Sequence, residues 1–142
     1  MRIYEATEPS DLLAEAFARL LPQLSERMTA PDREAVARIV ASPATRQLVA
    51  AAEDGRIVGL LSVALYDVPS GRKAWIEDVV VDAATRGRGI GEALVREALA
   101  LARREGVARV MLTSNATRRA AHRLYERMGF VRYETDCFRL DL

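Results

Sequence analysis

The spacing of apolar residues changes period several times along the chain, and each change marks an element. Arg2 to Thr7 reads as a short first strand. Glu8-Pro9-Ser10-Asp11 carries helix-start signals, a proline and acids near an N-terminus. Leu13, Phe17, Leu20 and Leu24, with Ala16 and Leu21, hold a helical stripe to about Ser25, and Pro22 is expected to end or kink that helix early. Thr29-Ala30-Pro31-Asp32 opens a second helix with Val36, Ile39 and Val40 on one side, closed by Ser42-Pro43. Thr45 to Glu53 and Arg56 to Tyr66 read as strands joined by an Asp54-Gly55 hairpin turn. Pro69-Ser70-Gly71 turns the chain into a third, Ala74 to Val81, whose apolar run Val79–Val81 suits a strand covered on both faces. Turns this tight predict antiparallel pairing.

A long amphipathic helix follows over about Ile90 to Glu105, with Leu94, Val95, Ala98, Leu101 and Ala102 as its buried stripe and Gly106 as its stop. Arg109 to Ser114 is the next strand, and the crossover through a helix makes it parallel to Ala74–Val81. Thr117 to Met128 forms a fourth helix, with Ala121, Leu124, Tyr125 and Met128 on one face and Gly129 at its end. Phe130–Tyr133 and Asp136–Leu140 read as the final strand. The predicted order is β-α-α-β-β-β-α-β-α-β, an α/β (α+β) fold with a mixed, largely antiparallel central sheet and helices on both faces.

At 142 residues and 50% apolar content, residues 1–142 are expected to form one domain, large enough to bury about two-thirds of its unfolded surface. Charged residues make up 29% with a net charge of +1, which gives no footprint for nucleic acid or an anionic membrane surface. No apolar window predicts a membrane span, and Met1 to Glu5 lacks the apolar core of a signal peptide, so a cytoplasmic protein is expected. A single cysteine, Cys137, makes neither an internal disulfide nor a cysteine-rich metal site, and no metal is expected.

The candidate chemistry centres on the turn between the third strand of the hairpin series and the long helix. After Asp82-Ala83-Ala84-Thr85, glycines stand at 87, 89 and 91, flanked by Arg86 and Arg88. The first amides of a helix have no intrahelical partners and lie at the positive end of its dipole. Glycines let a ligand approach the backbone closely, and the arginines add charge. The combination fits a pyrophosphate held by main-chain N–H groups. A P-loop is absent, and a dinucleotide fingerprint counted from Gly87 fails at Glu92. What remains is R-x-x-G-x-G, as Arg86, Gly89 and Gly91, which resembles the acetyl-CoA pyrophosphate loop of the GNAT superfamily of N-acetyltransferases. Ala121, Leu124, Tyr125, Glu126, Gly129 and Phe130 resemble that superfamily's A-x-x-L/F-Y-E-x-x-G-F helix, in the right order and at the family's spacing from the loop. The element order is similar along the whole chain, while the specific motifs cover about Ile76 to Phe130.

The resemblance implies acetyl-CoA as co-substrate, bound between two splaying parallel strands. Its pantetheine arm would pair with the main chain of Val79, Val80 and Val81, and its pyrophosphate would lie on Arg86, Gly87, Arg88, Gly89, Ile90 and Gly91, reaching Glu92. An N–H of Val80 or Val81 would meet the oxyanion. Tyr125 corresponds to the family's tyrosine near the thiol, a general acid, with a core aromatic as its plain alternative. Glu77 stands where related enzymes carry a catalytic glutamate, and desolvation in an apolar strand favours a base there. Asp78 is the rival, sent to the opposite face by period-2 alternation, and a water chain is a third route. Asn115 is expected to bond the pantetheine amides or the substrate, or to act as a helix N-cap or turn residue. His122 is either a proton-transfer aid or a packing residue, and Arg118 and Arg119 either meet the CoA 3′-phosphate or carry solvated charge. The implied reaction is direct acetyl transfer to a primary amine, of a small molecule or of a protein N-terminus or lysine. Dimers are common among similar enzymes, which leaves a homodimer open.

Overall fold

The computed structural model describes residues 1–142. Its five strands, β1 (Arg2–Ala6), β2 (Thr45–Ala51), β3 (Ile57–Val68), β4 (Gly71–Val81) and β5 (Val110–Met111), lie in one sheet in sequence order. Pairing is antiparallel from β1 to β4 and parallel between β4 and β5. The helices are α1 (Asp11–Leu24), α2 (Arg33–Ala41), α3 (Ile90–Arg104) and α4 (Arg119–Arg127). The mixed, largely antiparallel α/β architecture expected from the sequence is therefore present.

Local chemistry explains where the helices begin. Ser10 caps α1 by accepting the Leu13 N–H, and Asp32 caps α2 by accepting that of Ala35. Pro22 does not end α1 early; the helix runs on to Leu24. The proline lies in the last turn, so its missing N–H frees only the Ala18 carbonyl, on an exposed residue that water reaches. The hairpin turns fall where the glycines allow them, with Pro69–Ser70 between the paired residues Val68 and Gly71.

The sheet is covered on both faces. One face packs Leu48, Leu61, Val63, Ala74 and Ile76 against Leu94, Val95 and Ala98 of α3 and Tyr125 of α4. The other packs Val49, Ile57, Leu60 and Val80 against Leu13, Phe17 and Leu20 of α1 and Val36 of α2. Each of these leucines and valines loses essentially all its exposure, which stabilises the fold by about 1.5–3 kcal/mol per side chain before conformational entropy is counted.

Strand β4 does not alternate strictly. Ile76 and Val79, three positions apart, both lie with the α3-side core, while Val80 lies with the α1-side core. An extra residue accounts for this. The β3–β4 register shifts between Leu60 and Ser62, opposite residues 78–79, and Asp78 takes a left-handed φ of 49°. Strict alternation is therefore broken at Asp78, between Ile76 and Val79.

The largest departure is at the C-terminal end. The last strand predicted over Phe130–Tyr133 and Asp136–Leu140 does not form; no strand follows α4, and residues 131–142 are exposed. Phe138, Leu140 and Leu142 alternate with polar residues as a strand would, but pattern alone supplies no partner for the backbone. Strand β5 is also shorter than Arg109–Ser114. No helix is long and apolar enough to cross a membrane.

Candidate active site

The two parallel strands part company early. Strand β5 pairs with β4 only at Ala74↔Val110 and Trp75↔Met111, whereas β4 runs on to Val81. Main chain over Val79–Val81 therefore has no strand partner on the β5 side. Val79 and Val81 pack toward α3, so these residues are fixed by their side chains while that edge stays open.

At the end of β4 the chain enters a short 3₁₀ turn, Ala83–Thr85, then the glycine-arginine loop. Gly87 and Gly89 have φ of 77° and 75°, values a side chain disfavours, and Gly89 is the N-cap of α3. Unlike α1 and α2, α3 has no side-chain cap, so its first amides stay available to an outside acceptor. Arg86 folds back to donate to the Val81 carbonyl at 3.3 Å, and Arg88 is exposed. The Ile90 side chain is buried in the core. Glu92 is engaged by Arg96 at 2.7 Å. Gly91 has a different reason to be glycine. A Cβ there would stand 3.2 Å from Leu124 Cδ2 of α4, so the loop's helix and the tyrosine's helix touch at this position.

The turn before the loop is held by a cluster that sequence reasoning missed. Asp82 is 4% exposed, and its Oδ2 accepts from Arg19 at 2.6 Å and from Arg56, while its Oδ1 accepts the Ala84 N–H at 3.1 Å. Arg19 also donates to the Ile57 carbonyl. Burial alone would raise the Asp82 pKa, but the Ala84 N–H and the two guanidinium groups outweigh it and hold the carboxyl below the usual range. The only sequence signal was one acid at the end of an apolar strand; its partners lie 63 and 26 residues away.

On α4, Tyr125 is buried at 9% exposure and meets Phe130 edge-on, ring centroids 5.8 Å apart. Burial pushes its phenol above the ordinary value, partly countered by the Arg118 charge. It opens on a cavity of about 510 Å³ whose walls include Trp75, Met111, Ser114, His122 and Phe130. Ser114 Oγ and His122 Nε2 are buried without a hydrogen-bond partner, so the only histidine lines this cavity. Glu77 is not in its wall. That glutamate stands exposed on β4, its pKa raised by desolvation first and by the neighbouring Asp78 second. Asn115 acts in a turn, its Oδ1 accepting both the N–H and the hydroxyl of Thr117 at 2.9 Å, which leaves its NH₂ group free. Arg118 and Arg119 are exposed at the start of α4, and Cys137 is exposed.

An open strand edge thus leads to an uncapped helix start, and a buried phenol stands on the next helix. The model of the acetyltransferase (GNAT) family matches residues 8–130, and the chain belongs to that family. It is 35% identical over 127 residues to glucosamine 6-phosphate N-acetyltransferase 1 of Oryza sativa subsp. japonica, covering 84% of this chain and 75% of the relative. A mycothiol acetyltransferase of Thermomonospora curvata is 36% identical over 89 residues, which span 63% of this chain but only 29% of that protein. Among solved structures, a putative acetyltransferase from Agrobacterium tumefaciens str. C58 superposes with a TM-score of 0.82 at 29% identity, each chain covered in full. The expectation of an acetyltransferase fold and family drawn from the two motifs is thus met.

Proposed function

We propose that this chain moves the acetyl group of acetyl-CoA to the primary amine of a small molecule, directly and within a ternary complex. The observation that carries the reading is the continuity from the partnerless edge of β4, through the left-handed glycines, to the uncapped start of α3. That path offers main-chain N–H and C=O groups to an amide-bearing arm and N–H groups to a pyrophosphate. The residues present fit the co-substrate. Val79, Val80 and Val81 would hold the arm, and the amides from Arg86 to Glu92, including Gly87, Arg88, Gly89, Ile90 and Gly91, would hold the phosphates. The free NH₂ of Asn115 adds a donor. A main-chain N–H of Val80 or Val81 stabilises the charge that develops on the acetyl oxygen.

Two proton movements complete the reaction. Glu77 takes a proton from the incoming ammonium, directly or through water; its raised pKa makes it a better base than an ordinary carboxylate. Tyr125 gives a proton to the departing thiolate, and because burial raises its pKa the phenol is protonated at neutral pH. Relatives named as glucosamine 6-phosphate N-acetyltransferase and mycothiol acetyltransferase support a small amine over a protein acceptor. The test is thiol release from acetyl-CoA with a panel of glucosamine 6-phosphate, glucosamine, spermidine and a tripeptide. Release with a small amine supports the reading. Tight acetyl-CoA binding with no release above hydrolysis would make the chain a non-catalytic acyl-CoA-binding module.

A further inference from the structure

The sheet face under α1 and α2 carries a polar row that its apolar packing does not require. Gln47 on β2, Ser62 on β3 and Glu77 on β4 are successive cross-strand partners, and directly opposed residues share a face. Burial is graded along the row: Gln47 is 3% exposed, Ser62 is half-buried and Glu77 is exposed. On one side lie Val49, Leu60 and Val80 of the apolar core, and on the other the opposed pair Ala64 and Trp75. The row thus runs from the interior to an open end at the glutamate.

Its hydrogen bonding has one direction. Gln47 Nε2 donates to the carbonyls of Leu48 at 3.2 Å and Leu61 at 3.3 Å, which fixes the amide and turns its oxygen toward Ser62. The Ser62 hydroxyl donates to that oxygen at 2.8 Å. A hydroxyl has one proton, so with that proton committed Ser62 has only lone pairs left to offer. An ionised carboxylate is likewise acceptor-only, and no protein group donates to that of Glu77. Two acceptors therefore stand opposite each other, with Cβ atoms about 5 Å apart for such a pair. A group that satisfies both must bring at least two donors and preferably a positive charge. A protonated primary amine brings three N–H bonds and the charge; an alcohol or thiol brings a single proton.

We propose that Ser62 Oγ and the Glu77 carboxylate together seat the ammonium group of the acceptor, and that Gln47 is the positioning residue that keeps the Ser62 lone pairs turned to it. This rests on the reading of Glu77 as base. In the step, one ammonium N–H bond breaks, its proton forms an O–H bond on Glu77, and the electron pair stays on nitrogen. A second N–H remains on Ser62 Oγ and holds the nitrogen in place.

Ser62→Ala and Ser62→Thr test this in the full chain, assayed by thiol release with whichever of the four panel amines the parent uses best. Loss of one hydrogen bond to a charged group predicts a rise of about tenfold or more in the amine KM for Ser62→Ala. The acetyl-CoA KM is expected to stay unchanged. Ser62→Thr keeps the hydroxyl and is expected to return the amine KM toward the parent value. An unchanged amine KM in Ser62→Ala overturns the seat, and so does an equal rise in both KM values, which would report a general disturbance of β3 and β4. Failure of the parent to release thiol with every amine would instead remove the transferase reading, and this one with it.

Discussion

Replacing Asp82 by Asn removes one charge at the entrance to the glycine-arginine loop and almost no volume. The atoms decide the effect. Oδ2 serves both Arg19 and Arg56, and Oδ1 serves the Ala84 N–H. An asparagine that keeps its oxygen on Ala84 presents an NH₂ group to two guanidinium groups; one that turns over loses the Ala84 bond instead. Removing one partner of a fully buried ion pair costs about 3–5 kcal/mol. Here Arg56 is half exposed and Arg19 partly so, and water can take up some of the freed donors. The expected loss is therefore about 2–3 kcal/mol at neutral pH, or roughly 5–10 °C in Tm for a chain of this length. The pH dependence identifies the cause. Asp82 has a lowered pKa in the folded protein, so its contribution is complete above the unfolded value and disappears as pH falls through the folded one. Parent and Asp82→Asn should converge in strongly acid solution. Thermal unfolding followed by circular dichroism across that range is the assay. A gap that stays constant into acid, or no gap at neutral pH, would refute the assignment of a stabilising buried carboxylate.

Four further outcomes are expected. Gly89→Asp forces a side chain into a left-handed position and puts a carboxylate where phosphate is to bind, so calorimetry should show loss of CoA affinity with the far-ultraviolet spectrum retained. Tyr125→Phe keeps the ring against Phe130 and removes only the hydroxyl; kcat should fall about 10²–10⁴-fold with little change in acetyl-CoA KM, and the alkaline limb of the pH–rate profile should vanish. Because the Glu77 pKa is raised, its ionised form costs stability above the folded value and nothing below the unfolded one, so Glu77→Gln should raise Tm at neutral pH, leave it unchanged in strong acid, and lose activity that returns as pH nears the amine's own pKa. Cys137→Ala should keep near-normal activity: Cys137 is exposed, and nearby Arg139 is held by Asp141 at 2.8 Å, so nothing activates an acyl-accepting thiolate.

Elements whose signal is local were legible in the sequence. The helix starts at Ser10 and Asp32, the Asp54-Gly55 turn and the stripe of α3 all rest on residues a few positions apart, and the structure has each of them. What escaped depends on partners far along the chain. The bulge at Asp78 is set by the β3–β4 register, so alternation misphased β4. The alternating tail at Phe138 to Leu142 carries a strand's pattern, but a strand also needs a neighbour whose hydrogen bonds match, and no pattern within the tail supplies one. The same holds for the site. Arg86 to Gly91 and Tyr125 could be picked out because each lies in a compact motif. The Asp82 cluster and the Gln47–Ser62–Glu77 row could not, because each joins residues far apart along the chain.

The contact between Gly91 and Leu124 bears on how such a chain can change over generations. A methyl group on Gly91 would stand 3.2 Å from the leucine, so the first turn of α3 and the helix bearing Tyr125 share one tightly filled gap. Enlarging residue 91 without shrinking residue 124 would require the Leu124 side chain to give by a few tenths of an ångström. The two motifs are therefore not interchangeable parts: a loop borrowed from one relative and a helix from another would fit only if their sizes at these two positions were inherited together.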